Sequence, residues 1–175
     1  MRIRFTGALT LAALVATAWT LNAQDWDKKT IEKMLKDGAK KMASANPQER
    51  EEGAGYILGY ITCAYRAQYQ PVLVKALKDS NPKVRNSAAQ SLEKIQAADA
   101  VPDLVALLDD PDRDVQVRAA YALGGMGKAA VSAEPGLRDA QKRARAQKNS
   151  MVEGTIEVAL DEISGKRASN RYKCP

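Results

Sequence analysis

The chain has 175 residues, 27 Lys and Arg against 21 Asp and Glu for a formal net charge of +6, 45% hydrophobic residues and no histidine. That length suits one domain with a real core, and the apolar content excludes a disordered or collagen-like chain. Without histidine there is no Ser-His-Asp or Cys-His nucleophile and no histidine-bound zinc or haem.

Residues 1–23 read as a secretory signal. Arg2 and Arg4 form a positive start, Phe5 to Leu21 is uncharged, and Leu21-Asn22-Ala23 offers a small residue for cleavage ahead of Gln24. A second cut after Ala18 is less favoured because it leaves Trp19 and Leu21 exposed. The competing reading is an uncleaved anchor, since the apolar run sits at the lower edge of the roughly 17–25 residues that span a bilayer. No cysteine lies near the cut, which disfavours lipoprotein processing. Cleavage leaves 25 basic residues against 21 acidic ones, a net charge of +4. That mild basicity suits solubility and weak attraction to anionic surfaces.

The first helical hairpin is predicted to pair about 27–44 with 47–69. Asn46-Pro47 reads as an N-cap followed by Pro at the first helical position, and Glu49 completes a capping-box spacing. Gly55, Gly59, Cys63 and Ala67 recur at steps of four, a stripe of small residues suited to close helix approach. Tyr56, Tyr60, Tyr65 and Tyr69 crowd the same helix. They read as ring packing with wet hydroxyls in preference to an aromatic binding surface.

A repeat of 31 residues organises the middle of the chain. Pro71, Leu73, Val74, Leu77 and Asp79 fall on Pro102, Leu104, Val105, Leu108 and Asp110. Val84, Ala88, Leu92 and Ile95 make one helical stripe, which returns as Val115, Ala119, Leu123 and Met126. Hairpins are therefore predicted over about 71–79 with 82–96 and 102–109 with 113–126. A looser fourth pairs about 134–147 with 150–164, carrying Val152, Ile156, Leu160 and Ile163. Asn81-Pro82 caps the second hairpin as Asn46-Pro47 caps the first, and Gly127 and Gly165 suit helix ends. No stretch alternates with period two for long, so no sheet is expected.

Tyr121 aligns with Gln90, off the core stripe. With Val117 and Arg118 it forms a candidate partner surface, set evenly against packing under the next hairpin. Arg138, Lys142, Arg143, Arg145 and Lys148 form a candidate basic patch, with a solvated outer helix as the preferred alternative. The segment 166–175 adds a basic tail ending near Cys174. An exported chain with two cysteines favours a Cys63–Cys174 disulfide. Asp110-x-Asp112-x-Asp114 lacks the Gly and the closing Glu of a calcium loop and reads as helix capping. Gly124-Gly125-Met126-Gly127 follows a helix, whereas a phosphate loop precedes one. No metal, cofactor or nucleic acid is expected.

The segments Asp79-Ser80-Asn81-Pro82-Lys83-Val84-Arg85 with Ala88-Ala89 and Leu92, and Asp110-Pro111-Asp112 through Arg118, Ala119-Ala120 and Leu123-Gly124, resemble the short bacterial HEAT-like repeats named after phycobilisome lyases. The resemblance is close over 71–127 and looser over 46–165. It implies an all-α fold, a short α-solenoid of about four stacked antiparallel helical hairpins over 24–165. It also implies a polar ladder between neighbouring repeats from Asp79, Arg85 and Asp110. The pair aligned with Val84-Arg85 is Val115-Gln116, which leaves Arg118 two residues late.

The expected function is a non-catalytic protein–protein interaction or scaffold module, periplasmic or secreted. Its partner is another protein, with weak affinity for an anionic envelope surface. A lyase-type enzyme or enzyme accessory protein is one alternative, which the missing histidine and the export signal disfavour. A membrane-anchored structural envelope factor is the other.

Overall fold

A computed structural model describes residues 27–169 and Tyr172. The signal segment 1–23, Arg171 and Cys174 lie outside the described residues. Two compact units divide the chain, 1–33 and 34–175. In the first, Asp27 opens a helix by accepting the Thr30 N–H at 2.7 Å, and Lys28 pairs with Glu32 one turn on.

The helices are α1 (Lys28–Met42), α2 (Pro47–Tyr60), α3 (Arg66–Ala76), α4 (Pro82–Lys94), α5 (Val101–Ala106), α6 (Arg113–Met126), α7 (Glu134–Ala146) and α8 (Ser150–Ser164), with no strand among the described residues. In the second unit α2, α4, α6 and α8 pack in series, and α3, α5 and α7 lie on α4, α6 and α8. This is an all-α solenoid of helical hairpins.

The core follows the repeat. Val84, Ala88 and Leu92 on α4 and Ile95 at its C-cap are fully buried, as are Val115, Ala119 and Leu123 on α6, with Met126 nearly so. No hairpin could bury this stripe alone; each is covered by the next. On α8 the stripe shifts by one residue, with Ala159 buried and Leu160 only half-buried.

Side-chain caps start the second helix of each pair. Asn46 accepts from Gln48 N, and Asn81 from Lys83 N, each with Pro at the first helical position. Asp112 accepts from Asp114 N and Val115 N. The capping box expected from Glu49 is not made: the Asn46 N–H donates to Ser44 Oγ at 3.1 Å instead. Gly165 ends α8 at φ +79°, a left-handed turn that a Cβ would strain.

The predicted helix over 47–69 is two helices. Ile61 closes α2 through its N–H to Ile57 O, then turns extended (φ −69°, ψ 137°), and Thr62 continues extended. Cys63–Tyr65 form a single 3-10 turn before α3. Length explains the break. An unbroken helix over 47–69 would run about 34 Å at 1.5 Å per residue, far past α4 and α6, which have 13 and 14 residues. The turn stops α2 at 14 residues and keeps Ile61 buried. Pro71 consequently lies inside α3, while its counterpart Pro102 sits in the first turn of α5.

The stripe Gly55, Gly59, Cys63 and Ala67 therefore does not exist as one face. A Cβ at Gly55 or Gly59 would meet nothing within 4 Å. Close approach occurs one face over, where a Cβ on Gly53 would stand 2.5 Å from Gly38 O and 2.8 Å from Met42 N.

Candidate interaction surface

The turns inside the hairpins carry a polar ladder. Arg85 Nε donates to Asp110 Oδ2 at 2.7 Å and Arg85 Nη2 to Asp110 Oδ1 at 2.6 Å, while Nη1 reaches back to Asp79 O at 2.7 Å. Arg50 repeats the fork on Asp79, at 2.7 and 3.1 Å, with Nη1 on Ser44 O at 3.2 Å. Each Asp also caps its own loop, Asp79 through Asn81 N and Asp110 through Asp112 N, both at 2.8 Å. Arg85 and Asp110 are only 8% and 5% exposed. A two-pronged guanidinium–carboxylate fork satisfies both groups out of water.

The third position of the ladder is Gln116. Its Nε2 donates to Asp110 O at 2.7 Å, the same six-residue reach that Arg50 and Arg85 make. Gln116 keeps the backbone contact and drops the charge. The following loop offers Asn149, which caps α8, and no aspartate. Arg118 does not stand in: its Nε is buried without a hydrogen-bond partner.

These contacts set the charge states. Burial works to raise the Asp79 pKa, but the Arg50 fork, the Asn81 N–H and the charges of Arg50 and Arg85 outweigh it and hold the carboxyl below its ordinary value. A depressed folded pKa stabilises the fold above the carboxyl's unfolded value, about 3.9 for Asp. That stabilisation is lost as pH falls through the lower folded value. Melting temperature is therefore expected to drop on acidification through that window, and Asp79→Asn to show a shallower drop. Thermal melts across an acid pH series measure this, and equal slopes in the two proteins would overturn it.

The second helices present a face of their own. Tyr56 on α2 and Tyr121 on α6 are each 38% exposed, and Lys41 Nζ stands 5.3 Å from the Tyr56 ring centroid. A groove of about 970 Å³ crosses this face between Glu51 and Gly55 of α2, Lys83 and Asn86 of α4, and Asp114 of α6. Lys83 crosses between helices to Glu51 at 2.9 Å and, with Asn81, lowers its pKa. Beside it a shallower hollow of about 530 Å³ is lined by Glu52, Gly55, Tyr56, Gly59 and Tyr60.

The model of HEAT repeats matches residues 36–124 and 69–149, more than half the chain. This chain belongs to the HEAT-repeat family. Two engineered proteins solved by the Northeast Structural Genomics Consortium share the fold. One is 26% identical with a TM-score of 0.59 over 75% of this chain and 62% of that one. The other is 22% identical with a TM-score of 0.57 over 74% and 37%. The chain thus spans under two thirds of each. No curated protein matches the sequence. HEAT repeats commonly act as protein-interaction scaffolds.

In this HEAT stack the residues of the candidate partner surface part company. Tyr121 is exposed, whereas Val117 and Arg118 are half-buried beside it. The tyrosines divide too. Tyr69 is buried and meets Tyr65 edge-on at 6.4 Å, while Tyr56 stands on the open face. Sequence reasoning missed Tyr56 as a surface residue. The signal was its place beside Gly55 and opposite the apolar positions Ala54, Ile57 and Ile61.

The basic patch is largely neutralised by local acids. Arg138 pairs with Glu134, Lys142 with Asp139, Arg143 with Asp109 and Arg145 with Glu153, at 2.6–3.0 Å. These groups are mostly exposed, so each pair contributes little to stability. Lys148 turns the chain at φ +55°. Cys63 is half-buried with Sγ 3.6 Å from Lys94 O. Lys94 Nζ donates to Leu58 O at 2.7 Å, and burial lowers its pKa.

Proposed function

We propose that this HEAT-repeat protein is a non-catalytic scaffold exported to the cell envelope, periplasmic or secreted, that binds another protein across its second helices. The observation carrying this reading is the exposure of two large aromatic side chains, Tyr56 and Tyr121, on second helices that also line a polar groove. Aromatic side chains with a polar tip are favoured anchors at interfaces. Helix packing supplies a rigid base, so little conformational entropy is lost on docking. Next to Tyr56, Gly55 and Gly59 leave backbone open to an approaching chain.

Export rests on Arg2, Arg4, the uncharged run to Leu21 and the small residue Ala23. Among the described residues no helix is long and apolar enough to cross a membrane. N-terminal sequencing of the protein recovered from the envelope is expected to begin at Gln24. A start at Met1 would replace the soluble reading with the anchored one.

The docking face is tested by affinity capture from an envelope extract, followed by titration of the purified partner. Tyr56→Ala and Tyr121→Ala are each expected to weaken binding by about tenfold or more, the range of interface hot spots. Unchanged affinity in both, with melting temperatures intact, would discard this face.

A further inference from the structure

Resting on the scaffold reading, we infer that the protein bound there presents a single aspartate or glutamate to Arg118, whose guanidinium takes that carboxylate beside Tyr121.

Three arginines on the second helices set up the comparison. Arg50 and Arg85 each close Nε and Nη2 on one aspartate. Arg118 carries the same fork of donors and closes it on nothing. Its Nε is buried without a hydrogen-bond partner, and among the described residues no group pairs with its charge.

Its place in the repeat explains why. Gln116 holds the ladder position, with Nε2 on Asp110 O. Two residues on, an α-helix has turned by about 200°, which carries Arg118 away from the ladder. It shares a helical stripe with Asp114, four residues before it, and Tyr121, three after it. Asp114 is exposed and is held through its backbone, with its N–H on Asp112 Oδ1 and its carbonyl accepting from Asn86 Nδ2.

A guanidinium stays charged at any physiological pH, so a buried donor on it carries a desolvation cost until an acceptor arrives. Nothing has to break for Arg118 to turn to one. A carboxylate satisfies the fork with two charge-assisted bonds. Half-buried Val117 and exposed Tyr121 offer apolar contact to the stem of the incoming acid. Arginine and tyrosine are both enriched where interfaces gain most of their affinity.

The surroundings favour one acid over a broad anionic surface. Asp114 also lines the polar groove, where Glu51, Glu52 and Asp112 join it against Lys83 alone. Those carboxylates repel an array of lipid headgroups, while one carboxylate at contact distance from Arg118 gains more from it than it loses to charges further off.

The full chain is isotope-labelled for nuclear magnetic resonance, and the Arg118 Nε–H signal is assigned by its loss in Arg118→Lys. The probe is the peptide acetyl-Ala-Leu-Glu-Leu-Ala-amide, with its glutamine twin as the uncharged control. The glutamate peptide is expected to move the Arg118 signal saturably and to bind about tenfold more tightly than its twin, as charge-assisted bonds require. Arg118→Gln is expected to abolish that preference with the melting temperature intact, and Arg138→Gln to keep it. An unmoved Arg118 signal, or a glutamate preference that survives Arg118→Gln, would overturn the proposal. So would a shift of that signal in peptide-free Asp114→Asn as large as the peptide produces, because the charge would then be met within the chain. Binding of phosphatidylglycerol vesicles that is lost in Arg118→Gln would assign the site to a membrane instead. No natural partner enters these measurements, so their failure is distinct from a failure of the Tyr56→Ala and Tyr121→Ala titrations.

Discussion

Arg85→Ala is expected to destabilise the folded chain by about 3–5 kcal/mol, the range for removing one partner of a buried ion pair. The loss is not that of a surface charge. Arg85 makes two bonds to Asp110 and a third to Asp79 O, bridging two successive interhelical loops. Without it the Asp110 carboxylate keeps the Asp112 N–H but loses its counter-charge at 5% exposure. Urea denaturation followed by circular dichroism measures the change. A double-mutant cycle sharpens it: Arg85→Ala/Asp110→Ala is expected to be less destabilised than the sum of the single variants, because the second change removes the stranded charge. A loss below about 1 kcal/mol, the range of exposed pairs, would show that the fork carries no weight. Gln116 supplies an internal comparison. It holds the same loop carbonyl without a charge, and no aspartate stands opposite it. Gln116→Ala should therefore cost only about one neutral hydrogen bond, roughly 0.5–1.5 kcal/mol.

The ladder also shows which parts of the molecule a sequence can reveal. The 31-residue repeat is legible because stacked hairpins impose the same burial on the same position, so Val84, Val115 and their followers must all be apolar. The caps at Asn46, Asn81 and Asp112 are legible because an orphaned helix N–H needs a side-chain acceptor beside it. Asp79, Arg85 and Asp110 are suggested by family resemblance, but the fork on Asp79 comes from Arg50, which lies outside the closely matching stretch 71–127. The turn at Ile61-Thr62 leaves no local mark. Nothing between 57 and 65 is Pro or Gly except Gly59, and Pro71, aligned with Pro102, points to a helix start in the wrong place. That break is imposed by the length of α4 and α6, which is a tertiary fact. The binding face is half legible for a related reason. Periodicity says that Tyr121 points away from the core, but the exposure of Tyr56 depends on where α2 ends and which of its sides α4 covers.

Two glycines two residues apart on α2 are expected to respond in opposite directions to alanine. At Gly53 a Cβ would stand 2.5 Å from Gly38 O, 2.8 Å from Lys41 Cβ and 2.8 Å from Met42 N. Two of those three atoms are backbone and have no rotamer to change, so α1 and α2 must separate locally. Overpacking of this kind costs about 1–3 kcal/mol or more. Gly53→Ala should also loosen the packing of Gly38 against Ile57 and Tyr56, where a Cβ on Gly38 would stand 3.0–3.1 Å away. At Gly55 a Cβ would meet nothing within 4 Å, in the middle of a regular helix. There alanine removes backbone freedom from the unfolded chain without a steric penalty, and Gly55→Ala is expected to stabilise by about 0.5–1 kcal/mol. Thermal and urea unfolding of the two variants decide the matter together. If both lower stability alike, the break at Ile61 and the register it gives α2 are wrong, because an unbroken small-residue stripe through Gly55, Gly59, Cys63 and Ala67 makes Gly55 the position of close contact. If they differ in sign, the turn has placed the contact on Gly53 and left Gly55 and Tyr56 on the open face. The same pair of measurements then tests the surface assigned to the partner. Gly55→Ala adds a methyl group to the floor of that hollow without disturbing the fold, so a partner seated against it should bind Gly55→Ala more weakly even as the protein itself becomes more stable.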